Sequence, residues 1–267
     1  MNDSPDRYLG LESVRNLRDL GGYTTADNRK VKWRTLFRSG NLTQLSPNDA
    51  DNLKNLNIAK VLDFRSESEK ARDGLIAIHG WEPAYIPLPI GGNAAAWLKE
   101  LYHRLVHEDF PSGEMSNIFR KVYRDYPTVH AKELGVFLTH ASELKPGEAF
   151  LFNCTAGKDR TGIAAVLLLS LLGVDRDQII EDYMLTNQYV DIDQRSQQSA
   201  DWIKKHYNRD INPAELLPLF GVQEDFLQET FNVIDSISDS FTNYAINHCE
   251  VELSAIDRLR DRFMEDY

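Results

Sequence analysis

One ten-residue segment carries the chemistry: Asn153-Cys154-Thr155-Ala156-Gly157-Lys158-Asp159-Arg160-Thr161-Gly162. The apolar run EAFLFN precedes it, and the almost wholly apolar run from Thr161 to Leu172 follows it. Those flanks predict a strand delivering Cys154 to a tight loop, with a buried helix starting at the loop's end. Backbone N–H groups at a helix start, and in a loop wrapped as a nest, converge on an anion. The same positive field favours a thiolate over a thiol. Arg160 can grip two phosphate oxygens with its planar fork, which lysine cannot copy. Gly157 and Gly162 permit turns and close helix packing.

A thiolate beneath a phosphoryl group invites in-line displacement to a cysteinyl-phosphate, which water then hydrolyses. Cys154 is the candidate nucleophile and Asp159 the nearest acid for the leaving oxygen. Thr155, Ala156, Gly157, Lys158, Thr161 and Gly162 are the candidate phosphate-binding residues, with the Thr161 hydroxyl placed to stabilise departing sulfur. The loop and Arg160 stabilise phosphoryl charge themselves, so neither a metal nor a cofactor is expected.

The elements around this loop read as α/β. Gly21-Gly22 precede a strand-like run, Val31 to Arg38. Ser46-Pro47 starts a helix. Ile58–Phe64 and Tyr85–Leu88 read as further strands. From Ala94 to Leu144 the spacing is helical, as in Leu101, Tyr102 and Leu105, and Pro127 and Gly135 divide this stretch. Asp175 can cap the next helix, through Ile179, Ile180 and Tyr183 to about Tyr189. Residues 191–239 are polar and then helical, and form the expected mobile lid over a single domain spanning 1–267. A charged helix closes the chain from Ser254 to Met264.

Composition bounds the partners. A net charge of −11 argues against a general nucleic-acid or anionic-membrane binder. The start of the chain lacks the apolar stretch of a signal peptide, and the longest apolar run is too short to cross a bilayer. Two cysteines cannot build a disulfide framework, so a reducing, cytoplasmic setting is expected, with non-classical secretion left open. Oligomeric state is not readable from the sequence.

The loop resembles the signature of the cysteine-dependent tyrosine phosphatases: a cysteine, five residues, then Arg-Thr-Gly. Its longer form is similar to an atypical bacterial branch, and its Gly-Lys-x-Arg core to tensin-type lipid phosphatases. Asn16-Leu17-Arg18-Asp19-Leu20-Gly21-Gly22-Tyr23, Leu36-Phe37-Arg38-Ser39-Gly40, Val61-Leu62-Asp63-Phe64-Arg65-Ser66 with Glu67 and Glu69, and Ile180 to Asn187 resemble further motifs of that branch. The resemblance implies a tyrosine-phosphatase-like central sheet flanked by helices, with a helical lid insertion. It also implies a general acid inside the loop, Asp159, and a phosphotyrosine-containing protein or a phosphoinositide as substrate. Asn153 stands where the superfamily usually has His.

Other residues stay open. Asp63 reads as a helper of the acid or an orienter of Arg160, and equally as a cap; Arg65 reads as a phosphate contact or as its ion-pair partner. Asn16, Arg18 and Asp19 suggest a structural turn network. Asp125 reads as a helix-surface carboxylate. His103 and His107 lack the Glu of a zinc-binding His-Glu-x-x-His helix and read as a solvated face. Nothing supports a disulfide between Cys249 and Cys154. The rival readings are a phosphate-binding pseudophosphatase, suggested by Asn153, and a sulfur transferase, against which Asp159, Arg160 and Thr161-Gly162 argue.

Overall fold

Apolar residues alternate along three parallel strands and therefore build two cores, one on each face of a sheet. The computed structural model describes residues 6–76, 78–91 and 94–266, so residues 1–5 at the start of the chain lie outside it. Its strands are β1 (Arg18–Asp19), β2 (Arg29–Val31), β3 (Leu36–Ser39), β4 (Ile58–Asp63), β5 (Ala84–Pro87), β6 (Ala149–Asn153) and β7 (Met264–Asp266). One sheet has the order β1-β3-β6-β4-β5, parallel except for β1, while β2 and β7 form a separate antiparallel pair. Leu36, Leu62, Phe150 and Phe152 face the larger core; Phe37, Val61, Ala149 and Leu151 face the smaller one.

The helices are α1 (Pro47–Lys54), α2 (Glu67–Asp73), α3 (Ala94–His107), α4 (Glu114–Val129), α5 (Ala131–Ser142), α6 (Asp159–Leu171), α7 (Arg176–Met184), α8 (Thr186–Tyr189), α9 (Ile192–Tyr207), α10 (Leu217–Phe220), α11 (Glu224–Ile237), α12 (Phe241–Asn247) and α13 (Leu253–Phe263). Leu53 of α1 packs into the smaller core; α6, buried from Thr161 to Leu169, belongs to the larger one. The expected α/β architecture, a mainly parallel sheet flanked by helices, is present.

Several boundaries move for identifiable reasons. The run Val31 to Arg38 is two strands, because Arg34 adopts a left-handed φ of 62° in the turn between β2 and β3. Pro127 does not divide the helical stretch but sits in the last turns of α4. Its missing N–H frees the Tyr123 carbonyl four residues back, which accepts from the Thr230 hydroxyl at 2.9 Å. Gly135 lies inside α5, where a Cβ would meet the Cys249 carbonyl oxygen at 1.8 Å. Cys249 itself is a buried free thiol, pushed by burial up to about 12.

The 191–239 segment is not uniform. Phe226, Leu227 and Phe231 of α11 are wholly buried, so this half belongs to the core. The outer layer is α9, α10 and the 3-10 turn Pro213–Leu216 between them. A test of the packing follows at Gly135. Gly135→Ala should lower the unfolding free energy by about 2 kcal/mol or more, measured in urea, because backbone must move to admit the methyl.

Candidate active site

The three parallel strands β3, β6 and β4 end in register, Ser39 beside Asn153 and Asp63 beside Asn153. Ligand sites in such sheets form beyond these carboxyl ends. Cys154, 2% exposed, follows β6 there, and α6 starts at Asp159. Gly157 makes the turn with φ of 70°; a Cβ on it would lie 2.5 Å from the Gly40 nitrogen. Its carbonyl is held from behind by Asn16 Nδ2 at 2.7 Å and Arg38 Nη2 at 3.0 Å.

Those anchors belong to one buried ion network. Asp182 of α7 accepts from Arg18 Nε at 2.9 Å and from Arg38 Nη1 at 2.7 Å, all three side chains being buried. Tyr23 Oη adds a third bond to it at 3.1 Å. Burial opposes the Asp182 charge, but Arg18 and Arg38 outweigh it and hold its carboxyl far below the usual range. Three motifs distant in sequence thus act together on one carbonyl of the loop. The turn network expected around Asn16 and Arg18 is present, and it supports the loop itself.

Arg160 rises from the first turn of α6 and is held by Glu69. Nη1 donates to Glu69 Oε2 at 2.8 Å and to the Phe64 carbonyl at 3.1 Å; Nη2 donates to Glu69 Oε1 at 2.6 Å. Those bonds use three of five guanidinium protons, leaving the adjacent Nε and second Nη2 protons as a fork for two phosphate oxygens. Glu69 also accepts from the Thr155 hydroxyl and closes a capping box with Ser66 at the start of α2. Burial would raise its carboxyl, yet Arg160 and Thr155 hold it down at about 2.

Asp159 and Lys158 point in different directions from the phosphate loop. Asp159 Oδ1 accepts from Tyr123 Oη at 2.7 Å, and Tyr123 Oη accepts from Tyr183 Oη at 2.7 Å. Lys158 departs from the expected phosphate contact. Its buried ammonium donates to the carbonyls of Pro218, at 2.7 Å, and Gly221, at 2.9 Å, and lies 4.6 Å from the Phe119 ring centroid. The end of α10 offers carbonyls without helical partners, and Lys158 satisfies them. Thr161 Oγ1 is buried and has no hydrogen bond among the described residues.

Asp63 and Arg65 pair with each other, through Nη2 at 2.8 Å and Nε at 3.0 Å. Tyr85 Oη also donates to Asp63, at 2.8 Å, and Asn153 Nδ2 reaches it at 3.3 Å. Among the described hydrogen bonds neither residue reaches Arg160; together with Asn153 they brace the strand ends. A cleft of ≈ 530 Å³ opens onto Asp159 and Arg160. Its walls include Ile118, Phe119, Val122 and Tyr126, with Lys121 and Asp125 on its polar side. Sequence reasoning placed Asp125 on a helix surface and did not find the cleft. It also missed Tyr123, whose spacing marked it only as core, and the pairing of Glu69 with Arg160, for which the motif position was the one available signal.

The Glu69 ion pair has a consequence with a definite sign. A carboxyl held low in the folded state contributes stability that is complete above its ordinary value of 4.5 and drains away as pH falls towards about 2. Comparing the wild type with Glu69→Gln should show an unfolding-energy gap that shrinks by about 2 kcal/mol between about pH 6 and pH 3. A gap independent of pH contradicts the pairing.

Comparison with known proteins identifies the family. The sequence profile described as "Tyrosine phosphatase family" matches residues 9–265. A candidate tyrosine-protein phosphatase of Cupriavidus necator is 32% identical over 248 residues, spanning 93% of this chain and 86% of its own. The triple specificity protein phosphatase PtpB of Mycobacterium tuberculosis is 26% identical over 274 residues, spanning 94% of this chain and 96% of its own. Among solved structures, Pseudomonas aeruginosa TpbA aligns with a TM-score of 0.36 and 16% identity over 75% of this chain and 94% of its own. Among the described residues no helix is long and apolar enough to cross a membrane. A profile matched over nearly the whole sequence, with a relative 32% identical over 93% of it, makes this chain a member of the tyrosine phosphatase family, and so a phosphoric monoester hydrolase.

Proposed function

We propose that the chain hydrolyses phosphomonoesters through a cysteinyl-phosphate on Cys154, with phosphotyrosine in proteins as its principal substrate. The observation that carries this reading is the free Nε edge of Arg160, held by Glu69 beside Cys154. The substrate phosphate docks on that fork and on the loop amides of residues 155–160. The Cys154 thiolate attacks phosphorus, and a P–S bond forms as the P–O bond to the leaving group breaks. The electron pair stays on the leaving oxygen, which takes a proton from Asp159. Water then attacks phosphorus and gives its proton to the Asp159 carboxylate. The P–S bond breaks, its electrons return to sulfur, and Thr161 Oγ1 donates to the thiolate as phosphate leaves.

Charge developing on phosphorus is met by Arg160 and fixed dipoles, the task a divalent cation performs in metal-dependent hydrolases. The largely apolar cleft favours an aryl ring over a short aliphatic side chain, its Tyr126 and Phe119 supplying flat faces. The breadth carried by the name of the mycobacterial relative supports secondary activity beyond phosphotyrosine, on phosphoserine and phosphothreonine or on phosphoinositides.

A panel of phosphotyrosine, phosphoserine/threonine and phosphoinositide substrates tests the proposal in the presence of EDTA. Phosphotyrosine should be turned over fastest, with vanadate inhibiting, and Cys154→Ser should lose at least about 1,000-fold in kcat while keeping its fold. Turnover by Cys154→Ser contradicts the covalent route. Wild-type protein that binds phosphate without any turnover overturns the enzyme reading in favour of a binding module.

A further inference from the structure

Asp159 has two oxygens, and the structure treats them differently. Oδ1 receives the Tyr123 phenol at 2.7 Å and has the Lys158 ammonium 3.5 Å away. Lys158 can only donate, and Tyr123 has one proton, which it gives to Asp159 because Tyr183 Oη already donates to it. Burial first, and the neighbouring Asp159 charge second, keep the Tyr123 phenol protonated. Oδ1 is thus an acceptor with two donors assigned to it, and a proton added there would face both. The described hydrogen bonds leave Oδ2 unengaged, and Asp159 lines the cleft that opens onto Arg160.

We infer that Tyr123, backed by Tyr183, is a positioning residue that assigns the catalytic proton to Asp159 Oδ2 and turns that oxygen towards the leaving group. The inference rests on the proposed role of Asp159 as general acid. Both phenols are tied to parts of the site that must move together. Tyr183 follows Asp182, the carboxylate that steadies Gly157 through Arg38. The Tyr123 carbonyl is fixed by Thr230 of α11, and its ring packs against Phe226 of the same helix, with centroids 5.6 Å apart. The acid is therefore set by α4, α7 and α11, while the nucleophile is set by β6. Phenylalanine at either position keeps the ring packing and removes only the hydroxyl.

The test is leaving-group dependence. Tyr123→Phe should lower kcat/KM, which reports the steps through phosphoenzyme formation and not the later hydrolysis shared by all substrates, about tenfold on phosphotyrosine, whose phenol needs protonation, and less than about twofold on an aryl phosphate with a strongly acidic phenol. Tyr183→Phe should show the same pattern with a smaller loss, about threefold, and serves if Tyr123→Phe folds poorly. A structural role alone would lower both substrates equally, and that result overturns the inference. Asp159→Asn run in parallel separates the two levels. If it shows the leaving-group signature and neither phenylalanine variant does, the positioning role fails while the acid stands. If it loses both substrates equally, the acid assignment fails and the inference with it.

Discussion

The buried carboxylate of Asp182, shared by Arg18 and Arg38, is the interaction on which the site depends. Two guanidiniums without this carboxylate would be uncompensated charges in a dry interior, at a cost of several kcal/mol. With it they share one counter-charge, and Arg38 still has protons to spend on the Gly157 carbonyl. Asn16 adds a second bond to the same oxygen. A loop peptide whose carbonyl is held from behind is fixed in orientation, and a fixed ring of amides is what an anion site requires. The network's worth lies in this geometry more than in net stability, since buried ion pairs often return little beyond their desolvation cost.

In front of the loop the labour is divided by element. Helix α2 supplies Glu69, which grips one edge of Arg160 and leaves the other for substrate. Helices α4 and α7 supply the phenols that hold Asp159. Lys158 turns away from the phosphate and fastens the outer layer at Pro218 and Gly221, so the loop and that layer share one buried cation. Asn187 clamps the next residue of that layer, Val222, through two hydrogen bonds of 2.9 and 2.8 Å.

The loop that carries the proposed nucleophile, phosphate arginine and acid was legible because it is local: ten consecutive residues between an apolar strand and an apolar helix. The strands of the sheet were readable for the same reason, as short apolar runs ending in polar residues. Partnerships across the chain were not. Nothing in the spacing of Glu69 indicates that it meets Arg160, some ninety positions away, and Tyr123 looks like any core aromatic on a helix. Lys158 was misread because a lysine beside a phosphate loop suggests phosphate; the waiting carbonyls of α10 are a tertiary feature. Gly135 and Pro127 looked like breaks. One instead admits a close backbone approach, and the other hands its helix carbonyl to Thr230. Residues 224–237 read as lid because they follow a polar stretch, yet their apolar face is core.

The central claim is that the loop binds anions because Gly157 is held from behind. The affinity of Asn16→Gly for inorganic phosphate, measured by calorimetry, addresses it most directly. Glycine accepts the left-handed backbone of residue 16, with φ of 57°, while removing the amide that holds Gly157. The account predicts about tenfold weaker phosphate binding by a protein that remains folded, one lost buried hydrogen bond being worth roughly that factor. Phosphate affinity equal to the wild type's would contradict it.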